Sequence, residues 1–151
     1  MMPDASKTVF ISYRRSTSRY LALLLFKELR TRGYDVFWDV ESIGAGQFEP
    51  IILGQIAARA HFVLLISEGT LDRCDNPNDW LRKEIEYAMI LKRKIIPILV
   101  DNFDFRAASD YLTGDLSTLD TYNAMPLYYQ FFDAAVDRLC NQFLSSTVYG
   151  K

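Results

Sequence analysis

The chain has 151 residues, half of them hydrophobic, so one globular domain can bury a core without disulfides or metals. Seventeen basic residues stand against nineteen acidic ones, and the net charge of −2 gives no general attraction to nucleic acid or to a membrane surface. No leader-like segment, long apolar run or Cys/His cluster is present. We expect a cytoplasmic single domain over residues 1–151, with its core at 8–145 and with Cys74 and Cys140 as free thiols.

Strand and helix patterns alternate along the chain. β-branched and aromatic runs predict strands at residues 8–13, 34–39, 61–67, 95–100 and, more briefly, 125–127. Apolar residues at helical spacing predict helices between them: one that ends at Gly33, one around Ile52, one over 80–91 with Asp79 as its N-cap, and one over 132–143. Pro97 predicts that the ladder of the fourth strand is interrupted on one side or lies at an edge.

This alternation predicts an α/β fold, a flavodoxin-like doubly wound parallel sheet of about five strands with helices on both faces. Ligands of such sheets bind beyond the carboxyl ends of the strands. The residues that follow those ends should therefore meet on one rim. In chain order they are Tyr13, Arg14, Arg15, Asp39, the loop with Gly44 and Gly46, Ser67, Trp80 and Glu84.

Trp80 and Glu84 are the most informative pair, because they lie one helical turn apart on the same face. A carboxylate there can accept the hydroxyls of a ribose and stabilise positive charge on its anomeric carbon, while the aromatic ring suits a cationic group. The alternative is a solvated surface glutamate beside Lys83. Arg14 and Arg15 either bind a diphosphate by bidentate pairing or form a solvated loop pair.

Other common chemistries lack their residues. Both glycine-rich phosphate motifs, GxxxxGK[ST] and GxGxxG, are missing from the sequence. The only histidine, His61, opens a strand away from the rim, so we expect it to be structural. The first and third strands end without aspartate, which excludes a receiver-type phosphoacceptor. Phe48 either anchors the following helix in the core or acts as an aromatic lid, and the sequence leaves both roles open.

Five segments, in the correct order, strongly resemble a TIR (Toll/interleukin-1 receptor) domain. They are residues 9–15, 35–41, 46–49, 62–67 and 79–85. The resemblance covers about residues 8–101 and, more loosely, the closing helix. It is strongest to the NAD-cleaving TIR domains of the axon-degeneration NADase and of bacterial anti-phage systems.

The resemblance implies that Glu84 is the catalytic glutamate and Trp80 its neighbouring tryptophan. It also matches Tyr13 and Arg14 to the end of the first strand and Phe48 to the aromatic residue of the BB loop, at residues 40–50. With the other rim positions, the predicted contacts to NAD+ are Tyr13, Arg14, Arg15, Asp39, Ile43, Phe48, Ser67 and Trp80. The implied reaction releases nicotinamide from NAD+, which is a substrate, and gives ADP-ribose, a cyclic isomer or a base-exchange product. No metal or resident cofactor is expected, and similar enzymes act as TIR–TIR assemblies.

Two functions from different classes remain open at this point. The first is an NAD+ glycohydrolase or cyclase in defence or cell-death signalling. The second is a non-catalytic module that recruits partners by homotypic TIR–TIR contacts. Glu84 with Trp80 favours the enzyme, because adaptor-type TIR domains generally lack this glutamate. A secreted-type effector that mimics such adaptors has no support in the sequence.

Overall fold

A computed structural model describes residues 5–38 and 48–144, without the side chains of residues 48 and 49. Five strands run through it: β1 (Thr8–Ser12), β2 (Asp35–Trp38), β3 (His61–Ile66), β4 (Lys94–Val100) and β5 (Met125–Leu127). Four α-helices accompany them: α1 (Arg15–Thr31), α2 (Phe48–Ala57), α3 (Trp80–Ile90) and α4 (Phe132–Arg138). Two 3₁₀ helices, Phe105–Tyr111 and Gly114–Thr121, occupy the region between β4 and β5.

All strand pairs are parallel, and their order across the sheet is β2-β1-β3-β4-β5. One face of the sheet packs against α1 and α4, and the other packs against α2, α3 and the 3₁₀ helices. The predicted doubly wound fold is confirmed. β2 lies on one side of β1, and β3 lies on the other. The direction of the strand order therefore reverses at β1, and the carboxyl ends of β1 and β3 flank the switch point where such sheets bind ligands.

Side chains of β1 show how the two faces are divided. Val9 and Ile11 belong to the core cluster that contains α1, whereas Phe10 belongs to the cluster that contains Ile85 of α3. Alternation is the rule for a strand, since successive side chains point to opposite faces. With both faces covered by helices, β1 and β3 are buried along their whole length, as their nearly continuous apolar sequences predict.

Gly33 ends α1 as predicted. Its φ of +92° is in the left-handed region, its N–H donates to the Arg30 carbonyl at 3.0 Å, and the Tyr34 N–H donates to the Leu29 carbonyl at 3.0 Å. These two bonds form a Schellman motif, which satisfies carbonyl groups that the helix itself leaves open. The turn directs the chain into β2 beside β1.

Pro97 also has the predicted effect, although β4 is an interior strand. Pro97 pairs with Leu64 of β3, but β5 pairs with β4 only from Ile98 onward. The strand therefore has a neighbour on one side only at the position of the proline, which tolerates the missing N–H.

Cys74 and Cys140 are free thiols, as expected. In the described ranges, no helix is both long and apolar enough to span a bilayer.

Candidate active site

A cavity of about 740 Å³ opens at the carboxyl rim of the sheet, between the junction of β1 with α1 and the loop that leads into α3. This volume is within the range of roughly 300–1,000 Å³ that is usual for small-molecule sites. Its lining residues are Tyr13, Arg14, Arg15, Ser16, Arg19, Arg73, Asn76, Asn78, Asp79, Trp80, Leu81 and Glu84. Five of the nine residues predicted for the site thus meet here: Tyr13, Arg14, Arg15, Trp80 and Glu84.

Glu84 lies in the second turn of α3 and is only 3% exposed. Its Oε1 accepts a hydrogen bond from the Ser12 hydroxyl at 2.6 Å, and both groups are buried. The neighbouring positions Leu81 and Ile85 enter the core, as the helical spacing predicts. A carboxylate loses favourable hydration when it is buried, so this hydrogen bond compensates part of that cost. Glu84 is therefore not a solvated surface residue.

Trp80 occupies the first turn of the same helix and lines the same cavity. The Lys83 ammonium lies 5.8 Å from the centre of its ring, within the range of a cation–π contact. Tyr13, which also lines the cavity, stacks on Trp38 with ring centres 6.0 Å apart, and Trp38 stacks on Phe26 at 5.4 Å. Aromatic side chains from α3 and from the residue after β1 thus both line the cavity.

Arg14 contributes to the cavity wall, but its guanidinium already has protein partners. Nη1 and Nη2 donate to the two carboxylate oxygens of Asp79 at 2.8 and 2.9 Å, and Nε donates to the Thr70 carbonyl at 2.8 Å. Arg14 and Asp79 are 8% and 6% exposed. The bidentate pairing that was predicted with a diphosphate is made here with a carboxylate of the same chain.

Asp79 has a second role as the predicted N-cap of α3, where it accepts from the Arg82 backbone N–H at 3.1 Å. Burial alone would raise the pKa of Asp79, but hydrogen bonds from Arg14 and the Arg82 N–H and the charge of Arg14 lower it overall. Burial would likewise lower the pKa of Arg14, but its interactions with Asp79 raise it overall. Burial, together with the charge of Asp79, raises the pKa of the nearby Cys74 thiol to about 12.

Three of the residues that line the cavity are exposed arginines: Arg15, Arg19 and Arg73. Arg15 was predicted, but Arg19 and Arg73 were missed. Arg19 is four residues beyond Arg15, but α1 is kinked at Ser18, whose φ of −139° is not helical, so regular helical spacing does not relate the two side chains. Arg73 lies in the irregular loop before α3, where no spacing rule indicates which way a side chain points.

The structure places Ser67 elsewhere. Its hydroxyl lies 3.2 Å from both the Ser18 and the Thr70 hydroxyls, and it lines a second cavity, of about 760 Å³, with Glu68 and Asp101. Asp39, Ile43 and the side chain of Phe48 lie outside the described residues.

His61 is buried at the start of β3, distant in the sheet from the carboxyl rim, as its structural interpretation predicts. Burial and the charge of Lys94 lower its pKa to about 4. Across the described ranges, His, Cys, Asp and Glu side chains do not gather in groups of three that could hold a metal ion.

The chain is thus a parallel α/β domain with a cavity at the switch point of its sheet and a buried carboxylate in the cavity wall. The family model for the TIR domain matches residues 9–140. The chain belongs to the TIR domain family.

The chain is also similar in sequence to named proteins of this family. The chain is 38% identical over 134 residues to the NAD(+) hydrolase tir-1 of Caenorhabditis elegans, an alignment that covers 87% of this chain and 14% of that protein. It is 36% identical over 134 residues to the NAD(+) hydrolase SARM1 of Danio rerio, covering 87% and 18%. The chain therefore spans less than a fifth of the length of these relatives.

Among solved structures, the fold resembles the TIR domains of the activated Roq1 resistosome, with a TM-score of 0.65 and 14% identity. That superposition covers 90% of this chain and 98% of the other. At this level of identity the likeness concerns the fold.

Proposed function

We propose that this domain cleaves the bond between nicotinamide and ribose in NAD+, with Glu84 as the catalytic residue. The observation that carries the proposal is the buried Glu84 carboxylate, held by Ser12 in the wall of a cavity that also contains Trp80. The relatives named NAD(+) hydrolase, at 36–38% identity over most of this chain, support the same substrate.

The chemistry needs little beyond a well-placed negative charge. The bond from the ribose C1′ to the pyridinium nitrogen breaks, its electron pair goes to that nitrogen, and neutral nicotinamide leaves. The remaining ribosyl group carries oxocarbenium-like positive charge, which the Glu84 carboxylate stabilises. A preorganised group of this kind contributes roughly 3 kcal/mol, or about two orders of magnitude in rate. Water then adds to C1′ and loses a proton to give ADP-ribose, whereas attack by the adenine of the same molecule gives a cyclic isomer.

The rest of the cavity suits the other parts of NAD+. Aromatic rings of Trp80 and Tyr13 offer faces for the pyridinium, and the exposed guanidinium groups of Arg15, Arg19 and Arg73 offer donors for the diphosphate. Asp39, Ile43 and Phe48 remain predicted contacts from the adjoining loop. In this proposal NAD+ is the substrate and neither a metal nor a resident cofactor takes part, so excess EDTA should leave the rate unchanged.

The test is nicotinamide release from NAD+ by the purified domain, followed by chromatography at high protein concentration or on a crowding surface. Glu84→Gln keeps the shape of the side chain and removes its charge, and we expect it to lower the rate by a hundredfold or more. Glu86→Gln makes the same change on the same helix outside the cavity and should leave the rate within about twofold of wild type.

The possible outcomes separate the two candidate functions. Equal release by wild type and Glu84→Gln would remove Glu84 from the mechanism. No release by the wild type, even when assembled, would favour the non-catalytic interaction module. Chromatography of the nucleotide product also distinguishes ADP-ribose from a cyclic isomer.

We also propose that copies of the domain associate through TIR–TIR contacts and that the activity serves defence or cell-death signalling. Family membership supports the association, as do large apolar side chains that the described surface exposes, among them Tyr20 and Phe131. Specific activity should then rise with protein concentration, in parallel with light scattering. Expression in cells should lower NAD+ for the wild type but not for Glu84→Gln.

A further inference from the structure

Ser12 is the last residue of β1, is 1% exposed, and donates its hydroxyl hydrogen to Glu84 Oε1 over 2.6 Å. The two residues are 72 positions apart in the sequence. We propose that Ser12 is a positioning residue for the reaction, which holds the Glu84 carboxylate in the orientation needed at the ribose C1′. This inference rests on the proposed function.

The position of Ser12 follows from the alternation of β1. Phe10 and Ser12 point to the same face, the one on which Phe10 packs in a cluster with Ile85 of α3. Ser12 is the next residue along that face. At this position a hydroxyl stands in place of an apolar side chain, and it contacts Glu84 on α3. Ser12 pairs with Leu64 of β3, so its backbone belongs to the centre of the sheet. Sites built on such rigid elements are held more accurately than sites built on loops.

The contact has the geometry of a strong hydrogen bond. A separation of 2.6 Å is typical of a hydroxyl that donates to a carboxylate. The last torsion of a glutamate side chain has broad intrinsic preferences, so a donor at one oxygen restricts the plane of the carboxylate. Misplacement of a reacting group by about 1 Å can cost on the order of a hundredfold in rate.

The start of α3 is held independently of Ser12. Asp79 caps the helix and pairs with Arg14, and neither contact involves the Ser12 hydroxyl. Removal of that hydroxyl should therefore leave α3 in place and take one hydrogen bond away from the Glu84 carboxylate. Substrate binding, which depends on the aromatic and arginine side chains around the cavity, should change little.

The experiment compares Ser12→Ala and Ser12→Cys with the wild type in the nicotinamide-release assay. We expect Ser12→Ala to lower kcat by about 10- to 100-fold with KM within about threefold. Ser12→Cys keeps a weaker donor at the same place and should recover part of the loss. Ser18→Ala is the matched control, because Ser18 is 3% exposed, bonds to the Ser67 hydroxyl and does not line the cavity; its kcat should stay within about twofold.

Each other outcome overturns the inference. A folded Ser12→Ala variant with wild-type kcat, or with a raised KM alone, would show that the hydroxyl does not position Glu84, while the proposed function would stand. Loss of folding in both Ser12 variants, measured by circular dichroism, would assign Ser12 a structural role only. A wild type that releases no nicotinamide would refute the proposed function and this inference with it.

Discussion

Replacement of Arg14 by methionine separates two roles for the residue that sequence alone could not separate. As a substrate-binding residue, Arg14 would affect KM and leave folding nearly unchanged. In the structure its guanidinium is buried against both oxygens of Asp79 and the Thr70 carbonyl. Arg14→Met keeps much of the apolar stem and removes all of these donors, so we expect a loss of folding stability.

The expected loss of stability depends on which buried groups lose a partner in Arg14→Met. Asp79, 6% exposed, keeps the hydrogen bond from the Arg82 N–H but loses its cation, and the Thr70 carbonyl loses a donor. Removing one partner of a buried ion pair costs about 3–5 kcal/mol in the free energy of unfolding. The free energy of unfolding of a domain is about 5–15 kcal/mol in total, so the variant should still fold but with little stability left. Arg15→Met, at the exposed neighbouring position, should change this free energy by less than about 0.5 kcal/mol.

Urea unfolding followed by the fluorescence of the two tryptophans, Trp38 and Trp80, measures the difference. With a slope of about 2 kcal/mol per molar, the midpoint of Arg14→Met should fall by about 1.5–2.5 M. A midpoint within about 0.5 M of wild type, together with a KM raised tenfold or more, would refute the argument and restore Arg14 as a ligand for the diphosphate.

The same pair predicts an effect of pH. Because the pKa of Asp79 is lowered in the folded state, its contribution to stability is complete above about pH 4, the usual value for aspartate, and is lost as the pH falls through the lowered pKa. Protonated Asp79 no longer needs a cation. The difference in midpoint between wild type and Arg14→Met should therefore narrow below about pH 4.

Three further predictions concern residues outside the cavity wall or behind it. The pKa of His61 is lowered to about 4, which keeps its ring neutral in the folded state. On the order of 3 kcal/mol of folding stability should therefore be lost as the pH falls from about 6.5 to 4. The chain has a single histidine, and an NMR titration that gave it a pKa near 6.5 would contradict this prediction. Gly33→Ala, at a φ of +92°, should lower the free energy of unfolding by about 1–2 kcal/mol. Gly54→Ala, inside α2, should raise it by about 0.5–1 kcal/mol. Equal melting temperatures for the two variants would contradict this difference in backbone conformation. Arg82→Met removes the donor that holds the carbonyls of Cys74 and Thr113 at 2.6 and 3.0 Å, and should cost about 2–4 kcal/mol by urea unfolding.

Helix α3 shows how much of the site the sequence determines locally. Its N-cap, its core positions and the common face of Trp80 and Glu84 all depend on residues within two turns of each other, and each was predictable from spacing. The carboxyl rim was predictable too, because strand alternation with helices fixes a parallel sheet and the sheet fixes the rim.

Contacts between distant segments were not predictable in the same way. Arg14 was placed on the rim correctly, but its partner Asp79 is 65 residues away, and no local rule distinguishes a guanidinium that binds ligand from one that binds protein. Ser67 follows a strand end like Tyr13, yet its hydroxyl faces Ser18 and Thr70 instead of the cavity. Position on a rim limits where a side chain starts, whereas packing decides where it points.

Ser12 and Arg14 attach the end of β1 to α3 at two points. Arg14 reaches Asp79 at the start of the helix, and Ser12 reaches Glu84 one turn and a half further on. The first contact fixes where the helix begins, and the second fixes the orientation of one carboxylate within it. The two losses should therefore differ in kind: Arg14→Met should cost stability more than kcat per folded molecule, and Ser12→Ala should cost kcat more than stability. If Arg14→Met and Ser12→Ala lowered folding stability and kcat in the same proportion, the two contacts would act as one unit, contrary to this argument.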